Sequence, residues 1–324
     1  MQTVSIKFLR PRLSLESRAD AVAISVPDDH TPPDELSGFY FPATASNNSF
    51  EATDHPPPLV VVFHGMGGSA LSHYMRSMAE RLNDAGYPVL LWNHRGAGRS
   101  ASSCRHLHHP GYTEDVRRLT DYLQKERRDW IGGGMACVAF SLGANLLLKY
   151  LAETGEDSAF DWAVSISAPI DMEITSQNLR TGSNRLFDRY LLKKQQSELL
   201  RDSAELTAEE REIVKTASSV WDLDDRFTSR RLGYDGAVAF YADNSAEGQM
   251  PHIRKPTLLL HAEDDPVVDA DVFAAVDWQA NDYLFPALVE SGGHTGFLCE
   301  GGRRWHELAG IAFLNRFAAG AQSP

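Results

Sequence analysis

The run Leu59-Val60-Val61-Val62-Phe63 constrains the fold more than any other stretch. A strand with one wet face alternates polar and apolar side chains, and this one does not. It is therefore predicted to be a central strand of a parallel sheet, covered on both faces. Similar short apolar runs follow at Val89-Leu90-Leu91-Trp92, Met135–Phe140, Ala163–Ser167, Thr257–His261 and about Tyr283–Val289. Helix-forming stretches lie between or after them, at about Leu71–Ala85 with Gly86 as a stop, Thr113–Arg127, Asn145–Leu151 and Arg303–Ala318. Strands alternating with helices predict an α/β fold with a mostly parallel, doubly wound central sheet flanked by helices.

The alternation has two departures. Residues 1–58 read as a β-rich lead-in, with strands at Ser5–Leu9 and Gly38–Phe41 and turn-rich segments ending at Pro56-Pro57-Pro58. Residues 171–250 are charged and helical in pattern, notably at Arg189–Leu200, Ala208–Lys215 and Asp235–Tyr241. One domain is expected, with its core formed by 59–170 and 251–324 and a helical cap inserted at 171–250. Within the cap, Leu186, Phe187, Tyr190, Leu191, Trp221 and Phe227 are read as packing residues rather than as the lining of a pocket.

Charge narrows the function. The chain of 324 residues has 44 acidic and 31 basic residues, a net charge of −13. That argues against a nucleic-acid surface or a polybasic membrane anchor. Cys104, Cys137 and Cys299 do not make a disulfide framework, so free thiols in a reducing compartment are expected. Met1–Arg10 lacks a signal-peptide pattern, and no run approaches a membrane span. The expectation is a soluble, cytoplasmic protein.

Chemistry collects at strand ends. Met135–Phe140 runs into Ser141-Leu142-Gly143-Ala144, a strand, sharp turn and helix with serine at the apex. Small residues, Ala139 and Gly143, stand two positions either side, although glycine is more usual at the first. Two readings of Ser141 compete on this stretch alone: a nucleophile on a strained turn, or a helix N-cap. A serine nucleophile needs a general base, and a histidine base needs a carboxylate to orient it. His294, reached through Gly292-Gly293 after the last strand, is the base expected. Asp265 is preferred as the acid over its neighbour Asp264, which then serves as a solvated residue or a turn stabiliser. The glycine-rich turn His64-Gly65-Met66-Gly67-Gly68 follows the first central strand, where such a turn supplies one oxyanion donor. The donors expected are the N–H groups of Met66 and Leu142, with His64 in a structural role.

Other clusters read as structure. The glycine run lacks the ending of a phosphate-binding loop and does not fit G-x-G-x-x-G. His106, His108 and His109 lack cysteine or carboxylate partners at ligand spacing, so they are read as a solvated loop. No metal or cofactor is expected. Arg95, Arg99, Arg230 and Arg231 are read as ion-pairing residues, with recognition of an anionic substrate as the rival reading.

Taken together, His64-Gly65 with Gly67-Gly68-Ser69, Asn93-His94-Arg95-Gly96, Thr113-Glu114-Asp115, Phe140–Gly143, Leu148–Leu151, Ser167-Ala168-Pro169, Asp224–Phe227 and Gly292–Phe297 resemble the YheT-like branch of the α/β hydrolases. The resemblance covers roughly residues 58–315. It implies an α/β-hydrolase fold and a serine hydrolase of carboxylic esters. Relatives implied include esterases, phospholipid-active lipases and enzymes that make or hydrolyse fatty-acid ethyl esters. The resemblance also implies a triad on Ser141, Asp265 and His294, which stand in the chain order of that family. A small-molecule, lipid-like ester is the expected partner. Two alternatives stay open: an acyltransferase or thioesterase using the same acyl-enzyme, and a catalytically silent binding protein on the same fold.

Overall fold

The computed structural model describes residues 19–26, 33–43, 56–105 and 108–318. Eight strands form one sheet: β1 (Asp20–Val26), β2 (Asp34–Phe41), β3 (Leu59–Phe63), β4 (Val89–Trp92), β5 (Met135–Phe140), β6 (Trp162–Ile166), β7 (Thr257–Ala262) and β8 (Leu284–Val289). Their spatial order is β1-β2-β4-β3-β5-β6-β7-β8. β1 and β2 pair antiparallel, β2 joins β4 antiparallel, and every later pairing is parallel.

The unbroken apolar runs have the physical origin expected of them. On β3, Leu59, Val61 and Phe63 enter one core, and Val60 and Val62 enter the other. β5 divides the same way, with Met135, Cys137 and Ala139 on one side and Ala136, Val138 and Phe140 on the opposite side. Helices α1 (His73–Asp84), α2 (Thr113–Glu126) and α3 (Leu142–Thr154) follow β3, β4 and β5. Met75, Met78 and Leu82 of α1 cover one face, while Leu119 and Leu123 of α2 and Leu146–Leu148 of α3 cover the other.

Between β6 and β7 the chain is almost entirely helical: α4 (Met172–Leu179), α5 (Arg185–Leu199), α6 (Ala208–Thr216), α7 (Val220–Leu223), a π-helical turn (Asp224–Thr228), a short turn at Ser229–Arg231 and α8 (Ala237–Asn244). α6 opens on a capping box. Thr207 Oγ1 accepts from Glu210 N, and the Glu210 carboxylate accepts from Thr207 N. A short α9 (Ala270–Ala274) follows β7, and α10 (Trp305–Ala318) closes the fold against the α1 face.

One feature departs from the sequence reading. Ser5–Leu9 lies outside the described residues. The strand that pairs with β2 is β1, whose burial alternates: Val22, Ile24 and Val26 point inward. Its signal in the sequence is weak because small Ala and Ser residues fill the intervening positions. Three of the four arginines form the ion pairs expected of them. Arg95 is buried between two carboxylates, donating from Nη1 to Asp34 Oδ2 at 2.5 Å and from Nη2 to Asp115 Oδ1 at 2.5 Å. It fastens β2 and α2 to the turn after β4. Arg230 and Arg231 pair with Asp235 and Glu210, and Arg99 lies over the Phe39 ring. These contacts favour the structural reading over anion recognition.

Candidate active site

Ser141 is held in a conformation that ordinary residues avoid, with φ 52° and ψ −123°. Such backbone costs on the order of 1–3 kcal/mol and persists only where surrounding structure imposes it. Here the imposition is direct. Ser141 N donates to Ile166 O at 2.8 Å, and Ser141 O accepts from Ala144 N and Asn145 N at 2.8 and 3.1 Å. Close packing seals the turn: a Cβ on Gly143 would stand 2.4 Å from His64 O, and one on Gly65 would stand 2.9 Å from Ser141 Cβ.

Ser141 occupies the N-cap position of α3, yet its hydroxyl makes no cap hydrogen bond. It lies 2.8 Å from His294 Nε2 instead. His294 Nδ1 lies 2.8 Å from Asp265 Oδ2 and 3.1 Å from Oδ1. A carboxylate only accepts hydrogen bonds, so Nδ1 carries the proton and Nε2 is left as the acceptor facing the serine hydroxyl. Asp265 is buried, and its Oδ1 also accepts from Val267 N and Val268 N at 2.8 and 3.2 Å. The carboxylate is thus fixed by its own loop before it meets the imidazole.

The neighbouring Asp264 is more than a solvated residue. Its Oδ1 accepts from Gly292 N at 2.7 Å and from Gly293 N at 2.6 Å. These donors hold its carboxyl below the usual range, against the opposing effect of partial burial. Asp264 therefore ties the loop after β7 to the loop that carries His294. The two adjacent aspartates grip one loop, Asp265 by the side chain and Asp264 by the backbone.

The turn after β3 is fixed by histidines. His94 N donates to His64 Nε2 at 3.1 Å, so His64 carries its proton on Nδ1 and donates it to Gly65 O at 2.8 Å. His94 Nε2 lies 3.0 Å from His64 O, and Gly65 N donates to Tyr74 OH at 3.0 Å. Burial pushes His64 down to about 4, so it is neutral near pH 7 and serves as a structural strut. Leu142 is the first residue of α3, so its N–H has no acceptor within the helix. Met66 and Leu142 line the same cavity as Ser141 and His294.

That cavity has a volume of about 630 Å³. It lies between the strand ends and the helices of 172–244. Leu186, Phe187, Tyr190 and Leu191 of α5 line it; this corrects the packing reading for the exposed Leu186 and Tyr190, while Phe187 and Leu191 also pack against the main core. The physical reason is that α5 carries two apolar faces. Leu192 packs among its neighbouring helices, while the Phe187–Leu191 side looks down toward the serine. Phe227 and Trp221 keep the packing role, in the clusters that also contain Met66.

The histidine loop after β4 also differs from expectation. His106 lies outside the described residues. His108 is not solvated: its ring stacks on His94 with centroids 4.2 Å apart and an interplanar angle of 8°, and both ring nitrogens are buried. Among the described residues no group of three or more His, Cys, Asp and Glu side chains is arranged to hold a metal. No helix among them is long and apolar enough to cross a membrane.

Sequence reasoning missed two more residues here. His261 lies beneath Asp265, its Nδ1 4.0 Å from Oδ2, with its ring stacked on Phe273 at 4.1 Å. Burial pushes it down to about 4, so it adds no charge at neutral pH. Asp224 is buried and lines the serine cavity. Its signal in the sequence is its place in the Asp224–Phe227 stretch of the family resemblance.

Comparison with known proteins agrees with this architecture. The α/β hydrolase fold family matches residues 58–300. The chain is 32% identical to YheT of Escherichia coli over 244 residues, covering 74% of this chain and 71% of that protein. It is 27% identical to a Saccharomyces cerevisiae protein named monoacylglycerol lipase, over 86% of this chain and 63% of that one. Among solved structures, the Pyrococcus furiosus esterase Pf2001 superposes with a TM-score of 0.60 at 17% identity, covering 95% of this chain and 97% of the esterase. The chain belongs to the α/β hydrolase fold family, in its YheT-like branch.

Proposed function

We propose that this protein is a serine esterase that cleaves carboxylic esters through an acyl-enzyme, with Ser141 as nucleophile, His294 as general base and acid, and Asp265 as the carboxylate that orients it. The observation that carries this reading is the Ser141 hydroxyl, held on a positive-φ turn and aimed at His294 Nε2 rather than at the helix it caps.

The steps follow from the proton positions. Ser141 Oγ attacks the ester carbonyl while its proton passes to His294 Nε2. The carbonyl oxygen becomes an oxyanion, received by the N–H groups of Met66 and Leu142; one such donor is worth on the order of 10²–10³ in rate. Asp265 stabilises the imidazolium without taking its proton. His294 then delivers that proton to the departing alkoxide, which leaves as the alcohol. Water enters, gives a proton to His294 and attacks the acyl-enzyme, and the acid departs as the proton returns to Ser141.

The helices of 171–250 act as a cap that shapes the substrate cavity. A cavity of about 630 Å³ walled by Leu, Phe, Tyr and Val side chains suits a lipid-like ester, in keeping with the name of the yeast relative. Ser141→Ala tests the assignment. The expected result is loss of p-nitrophenyl ester turnover and of fluorophosphonate labelling, with an unchanged circular dichroism spectrum. Turnover equal to that of the unmodified protein would overturn it. A folded wild-type protein that neither turns over esters nor takes the label would be a binding protein on this fold.

A further inference from the structure

Asp224 is a buried acid that the steps above do not use. It opens the π-helical turn Asp224–Thr228, a backbone irregularity that is frequent at functional sites. The turn separates two adjacent carboxyls. Asp225 Oδ1 accepts from Ala237 N at 2.9 Å, at the start of α8, and has a structural task. Asp224 turns inward and lines the cavity that holds Ser141, His294, Met66 and Leu142. Tyr241 OH donates to Asp224 Oδ2 at 2.8 Å, and Ser176 Oγ lies 3.3 Å from the Tyr241 oxygen.

Among the described residues no lysine or arginine forms an ion pair with Asp224. Burial pushes its carboxyl up to about 6, opposed by the hydrogen bonds from Tyr241 and Thr228. It is nevertheless ionised above neutral pH. Burying a carboxylate without a cation is costly, and Tyr241 would find an acceptor equally well in an amide. Holding the turn together does not require an acid here. The carboxylate keeps acceptor capacity beyond the Tyr241 and Thr228 hydroxyls, and as a charged acceptor it holds a further donor on a ligand more strongly than an amide would.

We propose that Asp224 is a specificity residue whose carboxylate accepts a hydrogen bond from a hydroxyl group carried by the ester, so that the cavity selects hydroxylated esters over plain alkyl esters. Lys194 lines the same cavity and disfavours a cationic donor, which leaves a neutral hydroxyl. The hydroxyl belongs either to the alcohol part or to the acyl part. This inference rests on the serine-esterase reading.

The test uses two matched pairs at pH 8. A glycerol monoester is compared with the propyl ester of the same acid, and a hydroxyacyl ethyl ester with its unhydroxylated counterpart. kcat/KM ratios are measured for the wild type, Asp224→Asn and Asp224→Ser. The wild type is expected to favour the hydroxylated member of one pair. Asp224→Asn is expected to lower that ratio about fivefold, the difference between an ionised and a neutral acceptor. The pair that moves identifies the source of the hydroxyl. A merely structural role would slow both members alike and leave the ratio unchanged, which would overturn the proposal. So would a wild type without preference in either pair. Asp224→Ser, read by the same ratio, serves if the asparagine variant does not fold. Wild-type turnover of the plain esters with fluorophosphonate labelling of Ser141 separates failure of this inference from failure of the esterase reading. Absence of both overturns the two together.

Discussion

Single residues decide the chemistry, and Ser141 shows how a sequence leaves two readings balanced. Phe140-Ser141-Leu142-Gly143 has the same letters whether the hydroxyl caps α3 or points away from it. Long-range packing makes the choice, because His64 O presses on Gly143 and His294 waits across a separation of 153 residues. The same limit applied to Asp264 and Asp265, neighbours of identical type. Turn chemistry favoured Asp265 as the partner of His294, but nothing local revealed that Asp264 binds the Gly292 and Gly293 amides. The pair makes a sharp prediction. Asp265→Asn removes the group that fixes the imidazole tautomer and is expected to lower kcat by on the order of 10³–10⁴. Asp264→Asn keeps an acceptor for the two amides and is expected to cost less than about tenfold. Steady-state kinetics on a p-nitrophenyl ester decides it, and a larger loss for Asp264→Asn would exchange the two roles.

At the scale of elements, legibility followed burial on two faces. β3 to β7 were readable because each is covered on both faces and so carries apolar side chains on both sides, and the edge strand β8 because Leu284, Phe285, Leu288 and Val289 still make an apolar run. β1 was not, because an edge strand needs only Val22, Ile24 and Val26. The helices α4 and α7 escaped for a related reason: they pack on other helices, and their apolar residues are too few to form a clear stripe. What joins the early strands to the sheet was visible only as isolated charges. Arg95, Asp34 and Asp115 come from three separate segments and are each at most 5% exposed. Breaking such a set strands two carboxylates in a dry interior, at a cost of about 3–5 kcal/mol. Arg95→Leu is therefore expected to lower stability by that amount in urea unfolding, and adding Asp34→Asn and Asp115→Asn should recover much of it. A loss below about 1 kcal/mol for Arg95→Leu alone would mean that β2 is held by its strand pairing and not by this charge cluster.

For the whole molecule, the sheet and the helices of 172–244 divide the work. The sheet sets Ser141, Asp265 and His294 at the carboxyl ends of β5, β7 and β8, where parallel sheets bind ligands. The helices contribute nothing to that hydrogen-bonded chain, yet they supply much of the cavity wall. Their lining was unreadable in advance, since a leucine facing a pocket and a leucine facing a core have the same hydropathy, and only the path of α5 over the serine separates them. Substrate choice should consequently be adjustable from α5 without touching the chemistry. Leu191 lines the cavity and is partly buried against the main core. Leu191→Trp fills space that a long acyl chain would occupy. Each methylene denied burial forfeits about 0.8 kcal/mol, so excluding three or four of them should lower kcat/KM for long-chain esters roughly a hundredfold while short-chain esters change little. Measured across a series of p-nitrophenyl esters, the optimum should move to shorter chains. A uniform fall at every chain length would instead place the acyl group elsewhere and leave α5 as a wall for the alcohol.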